Sequence, residues 1–190
     1  MCYHILMEIY FDKMRFWDYH IYLYFYRLEI DHRFLSYIFF FFSKYGIVLI
    51  ILSSVYLIWR GTIKAFFCAF LALAIAALTD FVISLFWRRP HPFESHFGEV
   101  IQPIIDGMKL SASSFPSAHT YVAFAVATSI FLYGHKRLGL VLFAIALMIG
   151  VSRIATGLHY PTDIVAGAFF GILSGVLSYL IISKAQKNWR

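Results

Sequence analysis

Apolar residues are gathered into five long runs along the chain, separated by shorter polar segments. A helix needs about 20 mostly apolar residues to cross a bilayer, or about 17 at the short end. The pattern therefore predicts five transmembrane helices in an all-α, polytopic membrane bundle. The fourth run is short unless its helix continues past Arg153 at the membrane interface. The runs cover residues 34–59, 62–87, 117–133, 138–152 and 162–183.

The N-terminal segment, residues 1–33, has a different pattern, because aromatic and charged residues are mixed in it. Its stretch FWDYHIYLYFYRLE predicts an amphipathic helix that lies in the membrane interface. A sixth span in this segment is the alternative, and the charged residues argue against it because they are expensive at mid-bilayer. We therefore divide the chain into an N-terminal interfacial segment, residues 1–33, and a transmembrane domain, residues 34–190.

The composition supports a membrane protein. Hydrophobic residues make up 61% of the 190 residues and charged residues 14%, whereas a soluble domain is about half apolar and a quarter charged. The formal net charge of +6 comes from basic residues in short loops and at the C-terminus, and no basic face or RNA motif indicates nucleic-acid binding. Two cysteines give no disulfide framework.

The basic residues predict the orientation in the membrane. Three basic clusters fall on one side if the five runs alternate in direction, and an excess of Lys and Arg marks the cytoplasmic side. The C-terminus is therefore expected in the cytoplasm of a plasma or inner membrane protein, with the polar motifs on the non-cytoplasmic face. The clusters are Arg60 with Lys64, Lys136 with Arg137, and Lys184 with Lys187 and Arg190.

Two histidines stand where apolar runs begin on that non-cytoplasmic face. His119 follows Pro116 in SFPSAHT, and His159 precedes Pro161 in GLHYPTD. Proline suits the first turn of a helix, and two helix N-termini would direct free amide groups toward an anion such as phosphate. Asp163, one helical turn after His159, can hold an imidazole nitrogen.

Three arginines add positive charge on the same side. Arg88 and Arg89 follow the second run, and Arg153 ends the fourth. Guanidinium groups bind phosphate oxygens bidentately. Together with the two histidines and the aspartate, they predict phosphoryl transfer through a histidine, in which one imidazole attacks phosphorus and the other protonates the leaving oxygen. This chemistry requires no metal ion and no cofactor.

These residues resemble the motifs of the type 2 phosphatidic acid phosphatase (PAP2) superfamily of membrane lipid phosphatases. The family motifs are Lys-x6-Arg-Pro, Pro-Ser-Gly-His and Ser-Arg-x5-His-x3-Asp. The third is complete as Ser152, Arg153, His159 and Asp163, and the second stands at residues 116–119 with alanine in place of glycine. The resemblance covers about residues 36–183 and implies that residues 34–190 form a PAP2-like transmembrane phosphatase domain.

The resemblance implies a role for each matching residue. His159 would be the nucleophile that forms a phosphohistidine, and Asp163 would orient it. His119 would protonate the leaving group and then activate water. Phosphate oxygens would be bound by Arg153, Arg89, Ser117 and nearby backbone amides.

The first motif departs from the family pattern. Counting back from Arg89, Val82 stands where the lysine is expected, and a second register built on His91-Pro92 places Ser84 there. Arg88 is the candidate to supply the missing charge, and His91 is a candidate for a further phosphate contact. The missing lysine also supports an alternative, a lipid-binding or transport relative with a decayed site, against which the intact histidines argue.

The stretch RPHPF at residues 89–93 resembles a form of the first motif found in bacterial undecaprenyl diphosphate phosphatases. The leading substrate is therefore undecaprenyl diphosphate, hydrolysed to undecaprenyl phosphate. Phosphatidylglycerophosphate, phosphatidic acid and the 1-phosphate of lipid A stay open as alternatives. In each case the expected partners are a lipid phosphate and the surrounding membrane lipids.

Two further patterns predict structural roles. Gly167, Gly171 and Gly175 have the spacing of a helix-packing seam. Asp80, inside the second apolar run, is either a functional acid or a structural one that lies near a helix end or pairs with Lys44.

Overall fold

The computed structural model describes residues 2–60, 62–95 and 113–188, with side chains described for residues 16–60, 62–95 and 113–185. All regular secondary structure in these ranges is helical, as the sequence predicts. The helices are α1 (Cys2–Asp31), α2 (Arg33–Trp59), α3 (Ile63–Phe86), α4 (Pro92–Ser95), α5 (Ala118–Leu132), α6 (Lys136–Ala155) and α7 (Pro161–Asn188).

Each of the five apolar runs forms one helix, so the predicted membrane bundle is confirmed. Four helices, α2, α3, α6 and α7, are long and apolar enough to span a bilayer. The fourth run continues past Arg153, and α6 therefore reaches 20 residues. The short helix is α5, with 15 residues, which is below the usual spanning length.

Helix α5 is the centre of the bundle. Its buried residues occur on all sides of the helix, and it packs against α3, α6 and α7. Alanines at 123, 125 and 127 let the neighbouring backbones approach closely. This central position places the first turn of α5, with His119, among the ends of the surrounding helices.

The predicted glycine seam is confirmed on α7. A Cβ atom added to Gly167 would lie 2.9 Å from the Ser117 carbonyl oxygen, and one added to Gly175 would lie 2.6 Å from the Ala125 carbonyl oxygen. The glycines therefore allow α7 to lie directly against the backbone of α5. This contact fixes the first turns of both helices side by side.

Helix α1 packs one face against the ends of α6 and α7. Tyr22 and Tyr26 are buried together with Ile154, Tyr160 and Ile164, whereas Trp17 and other aromatic residues of α1 are exposed. The part of the N-terminal segment whose side chains are described, residues 16–31 of α1, thus has one face in the core of the bundle. Its location in the membrane interface stays a prediction.

Asp80 and Lys44 do not pair, which removes one of the alternatives left open for Asp80. Lys44 is exposed, and its ammonium group lies 5.3 Å from the ring centre of Phe40 and 5.4 Å from that of Tyr45. Asp80 is partly buried on α3 and makes no hydrogen bond or ion pair within the described ranges. Lys44 instead covers aromatic rings at the surface of α2.

Candidate active site

The residues of the third motif meet where α6 turns into α7. Arg153 lies in the last turn of α6, His159 in the connecting turn and Asp163 in the first turn of α7. Gly157 makes the turn possible, because its φ of +75° is strained for residues with a side chain. All three functional side chains are buried, with at most 3% of their surface exposed.

A backbone carbonyl fixes the protonation of His159. Nδ1 lies 2.8 Å from the Ser114 carbonyl oxygen, and a carbonyl can only accept a hydrogen bond, so Nδ1 carries the hydrogen. Nε2 then holds a lone pair and lies 3.4 Å from Nη2 of Arg153. The Asp163 carboxylate, predicted to orient His159, is 3.8 Å from Nδ1. The nearer orienting group is therefore the Ser114 carbonyl.

The His159 imidazole is neutral at neutral pH. Burial lowers its pKa, the charge of Arg153 acts in the same direction, and the nearby Asp163 carboxylate opposes both. The resulting pKa is about 4, below the ordinary value of about 6.5. A neutral imidazole with its lone pair on Nε2 is the form that can act as a nucleophile.

Asp163 is a fully buried carboxylate with several donors. Oδ1 accepts a hydrogen bond from Nη1 of Arg89 at 2.7 Å. Oδ2 accepts hydrogen bonds from the Ser114 hydroxyl and, at 2.8 Å, from the Tyr160 amide. The last bond lets Asp163, the third residue of α7, cap the start of that helix. Asp163 therefore ties three chain segments together behind His159.

Arg153 is a buried cation with incomplete hydrogen bonding. Nη1 donates to the Ser43 carbonyl oxygen at 3.4 Å, and the contact of Nη2 with His159 is equally long. Its Nε–H makes no hydrogen bond within the described residues. A buried guanidinium with an unsatisfied N–H group is costly without an anion, so this position is suited to bind phosphate oxygens.

His119 lies in the first turn of α5. It is partly buried and lies within electrostatic reach of Arg153 and His159. The backbone amides of residues 118–120 make no hydrogen bond to the rest of the described chain. The start of α5 therefore carries both an imidazole and amide groups that have no hydrogen-bond partner among the described residues.

The first turn of α7 does not present free amides, contrary to the sequence-based prediction. Its Thr162 amide donates to Oδ1 of Asp18 at 2.9 Å, and the Tyr160 amide donates to Asp163. The carboxylates of Asp18 and Asp163 thus bind the amides at the start of α7 that were predicted to bind an anion. Of the two predicted helix N-termini, α5 alone keeps amides that are available to phosphate.

Arg89 bridges two carboxylates. Nη2 donates to Asp18 at 2.6 Å, and Nη1 donates to Asp163 and to the Thr162 hydroxyl, each at 2.7 Å. These bonds use three of the five N–H groups that an arginine carries. The guanidinium also covers the Tyr160 ring, 4.1 Å from its centre. The two carboxylates raise the pKa of Arg89 against the effect of burial, so its charge is permanent.

The other predicted phosphate ligands have different environments. Ser117 is buried, and its hydroxyl accepts a hydrogen bond from Thr120. His91 is buried beside His159, with 5.4 Å between ring centres, and its Nδ1 lies 2.7 Å from the Leu158 carbonyl oxygen. Arg88 is exposed and makes no polar contact with any described residue. The structure therefore brings Ser117 and His91 to the site and leaves Arg88 at the surface.

Sequence reasoning missed three residues that build the site. Asp18 binds Arg89, Ser114 holds His159, and the Ser43 carbonyl contacts Arg153. In the sequence, Asp18 is only one of several charged residues in the N-terminal segment. Its position inside an aromatic stretch, FWDY, is the one local signal of burial. Ser43 contacts Arg153 through its backbone carbonyl, which any residue type can supply. Ser114 holds His159 through its carbonyl and also donates its hydroxyl to Asp163.

The fold and the site together define a class of protein. It is an integral membrane helix bundle with a buried, neutral histidine beside an under-bonded arginine at one end. Among the described residues, no group of three or more His, Cys, Asp or Glu side chains is arranged to hold a metal ion. Such an arrangement is suited to bind an anion and to attack it with an imidazole.

The chain belongs to the PAP2 superfamily, whose family model matches residues 65–187. It is 32% identical over 118 residues to the bacitracin transport permease protein BcrC of Bacillus licheniformis, covering 61% of this chain and 55% of that protein. It is 31% identical over 100 residues to the undecaprenyl-diphosphatase BcrC of Bacillus subtilis (strain 168), covering 53% and 49%. The chain therefore spans about half the length of these curated relatives.

A solved structure supports the same family. The crystal structure of Aquifex aeolicus LpxE matches with a TM-score of 0.66 and 29% sequence identity, over 82% of this chain and 93% of that one. Other relatives that match are named lipid A phosphatases. The structural likeness thus extends over most of the chain.

Proposed function

We propose that this protein is an integral membrane lipid phosphatase that works through a phosphohistidine on His159. The observation that carries the proposal is the pairing of His159 with Arg153. The nucleophile is neutral, its Nε2 lone pair faces the guanidinium, and that guanidinium has an unsatisfied N–H group. A phosphate placed there would meet the nucleophile and its charge-stabilising partner at once.

The reaction has two steps. Nε2 of His159 attacks phosphorus, the bond from phosphorus to the leaving oxygen breaks, and protonated His119 gives that oxygen its proton. Neutral His119 then takes a proton from water, the water oxygen attacks phosphorus, and the phosphorus–Nε2 bond breaks to release phosphate. Arg153 and the amides of residues 118–120 stabilise the charge on the transferring group in both steps.

The leading substrate is undecaprenyl diphosphate. The RPHPF stretch at residues 89–93 and the likeness to the undecaprenyl-diphosphatase BcrC support this assignment. Relatives named lipid A phosphatases keep the 1-phosphate of lipid A as the second candidate. The basic loops support a site on the non-cytoplasmic face and a cytoplasmic C-terminus.

The test is phosphate release by the purified protein in detergent. The panel contains undecaprenyl diphosphate, phosphatidylglycerophosphate, phosphatidic acid and lipid A 1-phosphate, each with and without EDTA. We expect the highest kcat/KM for undecaprenyl diphosphate, with no effect of the chelator. A folded protein that releases phosphate from none of these lipids would refute the proposed function.

The variant His159→Ala tests the nucleophile. We expect loss of at least about 10³-fold in kcat, because the covalent step has no substitute nucleophile. His135→Ala is the matched control, since His135 lies at the opposite end of α6 and should leave kcat unchanged. A phosphorylated residue trapped at any position other than 159 would contradict the assignment.

A further inference from the structure

A carboxylate from α1 is built into the network behind the proposed nucleophile. Asp18 is 4% exposed and lies 144 residues before Thr162 in the chain. We propose that Asp18 is a positioning residue of the phosphatase site, which acts through Arg89 and Asp163 on His159. This inference rests on the proposed function.

Both oxygens of Asp18 are engaged at the start of α7. Oδ1 accepts the Thr162 amide at 2.9 Å, and Oδ2 accepts the Thr162 hydroxyl at 2.5 Å and Nη2 of Arg89 at 2.6 Å. A buried carboxylate that accepts three hydrogen bonds is held firmly in one orientation. Asp18 therefore presents a fixed negative charge to one side of the Arg89 guanidinium.

The hydrogen bonds continue from Arg89 to the nucleophile. Nη1 of Arg89 donates to Oδ1 of Asp163 at 2.7 Å, and Oδ2 of Asp163 accepts the Ser114 hydroxyl. The Ser114 carbonyl oxygen in turn accepts Nδ1–H of His159 at 2.8 Å. An unbroken chain of contacts thus runs from α1 to the imidazole.

The two carboxylates hold Arg89 from both sides. A planar guanidinium that donates to Asp18 and to Asp163 cannot rotate without losing one ion pair. Without the charge of Asp18, the guanidinium is tethered on one side only, and Asp163 is free to follow it away from Ser114. A displacement of about 1 Å at a reacting group lowers a rate by up to about 10²-fold.

The supporting helix is itself packed firmly. Tyr22, one turn after Asp18, is fully buried against Tyr160, with 5.8 Å between ring centres. The packing of Tyr22 therefore holds the part of α1 that carries Asp18 in place next to Arg89. Of the groups assigned to bind phosphate, Asp18 contacts only Arg89. Asp18 is therefore a positioning residue and not a catalytic one.

The test is a double-mutant cycle with kcat and KM as separate readouts. Wild type, Asp18→Asn, Arg89→Gln and the double variant are compared on the lipid of the panel that the wild type hydrolyses best. We expect Asp18→Asn to lower kcat about tenfold and to change KM less than about threefold. In the Arg89→Gln background, Asp18→Asn should lower kcat less than about twofold, because Asp18 acts on His159 only through Arg89.

The matched control is Asp31→Asn. Asp31 is an exposed aspartate on the same helix, and its replacement should leave kcat and KM at wild-type values. If Asp18→Asn does not yield folded protein by thermal unfolding, the cycle is repeated with Asp18→Glu. That variant keeps the charge but adds a methylene group, so we expect a smaller loss of kcat that again disappears in the Arg89→Gln background.

Several outcomes would overturn the proposal. One is a wild-type kcat in Asp18→Asn. Another is that Asp18→Asn lowers kcat by the same factor in the wild-type and in the Arg89→Gln background, which would indicate a purely structural role at the start of α7. Loss of folding in both Asp18 variants would likewise assign Asp18 to stability alone. A wild-type protein that hydrolyses no lipid phosphate would refute the phosphatase function itself, and this result is visible before any variant is compared.

Discussion

His159 is held between one hydrogen-bond acceptor and one cation. The Ser114 carbonyl fixes the hydrogen on Nδ1, and the buried Arg153 guanidinium disfavours a second positive charge on Nε2. The two contacts act on different nitrogens of the same ring, so the tautomer and the charge state are set independently. His159, the proposed nucleophile, is therefore already neutral and needs no neighbouring base to remove a proton.

The protonation of His159 is directly measurable. We expect its imidazole to titrate near pH 4 in the substrate-free protein, because burial lowers its pKa to about 4. The measurement is a 15N NMR titration of histidine-labelled protein in detergent, with His159→Asn used to assign the signal. A midpoint near the ordinary value of about 6.5 would contradict the buried, neutral state.

The same pKa shift predicts how stability changes with pH. The folded state binds the His159 proton less readily than the unfolded chain, whose histidines titrate near 6.5. The contribution of His159 to the free energy of unfolding is therefore complete above about pH 6.5. It is lost as the pH falls toward 4. His159→Asn should flatten this part of the stability profile, and an unchanged profile would argue against the shift.

At the scale of the helices, the seam between α5 and α7 brings His119 and Asp163 to the same end of the bundle. Close contact is possible because Gly167, Gly171 and Gly175 present no side chain to α5. Any side chain there must push the two helices apart, and both first turns would move with them. The seam thus connects packing in the middle of the bundle with geometry at the site.

Replacement of Gly175 by valine tests the seam. An added Cβ would lie 2.6 Å from both the Ala125 carbonyl oxygen and the Thr128 Cβ atom, so we expect destabilisation of about 1–3 kcal/mol or more. Leu180→Val is the control, because Leu180 is 54% exposed on the same helix and should change stability by less than about 0.5 kcal/mol. The measurement is thermal unfolding in detergent; equal midpoints for the two variants would show that the seam is not tight.

The helices and the third motif could be predicted from the sequence, because each has a local pattern. Apolar runs of spanning length mark helices, and Arg153, His159 and Asp163 stand within eleven residues of one another. Asp18 and the Ser114 carbonyl could not be predicted in the same way. Asp18 meets its partners across more than 140 residues, and a backbone carbonyl has no sequence signature. Because Asp18 could not be predicted at this place, its hydrogen bond to the Thr162 amide of α7 could not be predicted either.

At the scale of the whole molecule, the polar groups of the site lie at one end of an otherwise apolar bundle. Arg153 ends α6, and His119 and Asp163 begin α5 and α7, so the turns between these helices define one site-bearing face. Lys136 and Arg137 in the first turn of α6, and Lys184 near the end of α7, lie at the other end. This separation is the basis of the predicted orientation.

Reporter fusions test the orientation. Because the positively charged loops stay in the cytoplasm, we expect a green fluorescent protein fused after Arg190 to fluoresce and an alkaline phosphatase fused there to be inactive. A fusion truncated after Glu94, at the site-bearing end, is the control and should give the opposite pair of results. An active alkaline phosphatase after Arg190 would reverse the assignment of the two faces.

The shortness of α5 has a consequence for how a substrate reaches the site. Fifteen residues at 1.5 Å per residue give about 22 Å, whereas the hydrocarbon layer is about 30 Å thick. With its far end at the opposite interface, α5 would begin about 8 Å below the level of the lipid headgroups, a local hydrophobic mismatch. A phosphate carried on a lipid can be drawn down to that depth by its own tail, while a soluble phosphate ester would have to leave water to get there. We therefore expect the protein to select its substrates by depth as well as by chemistry.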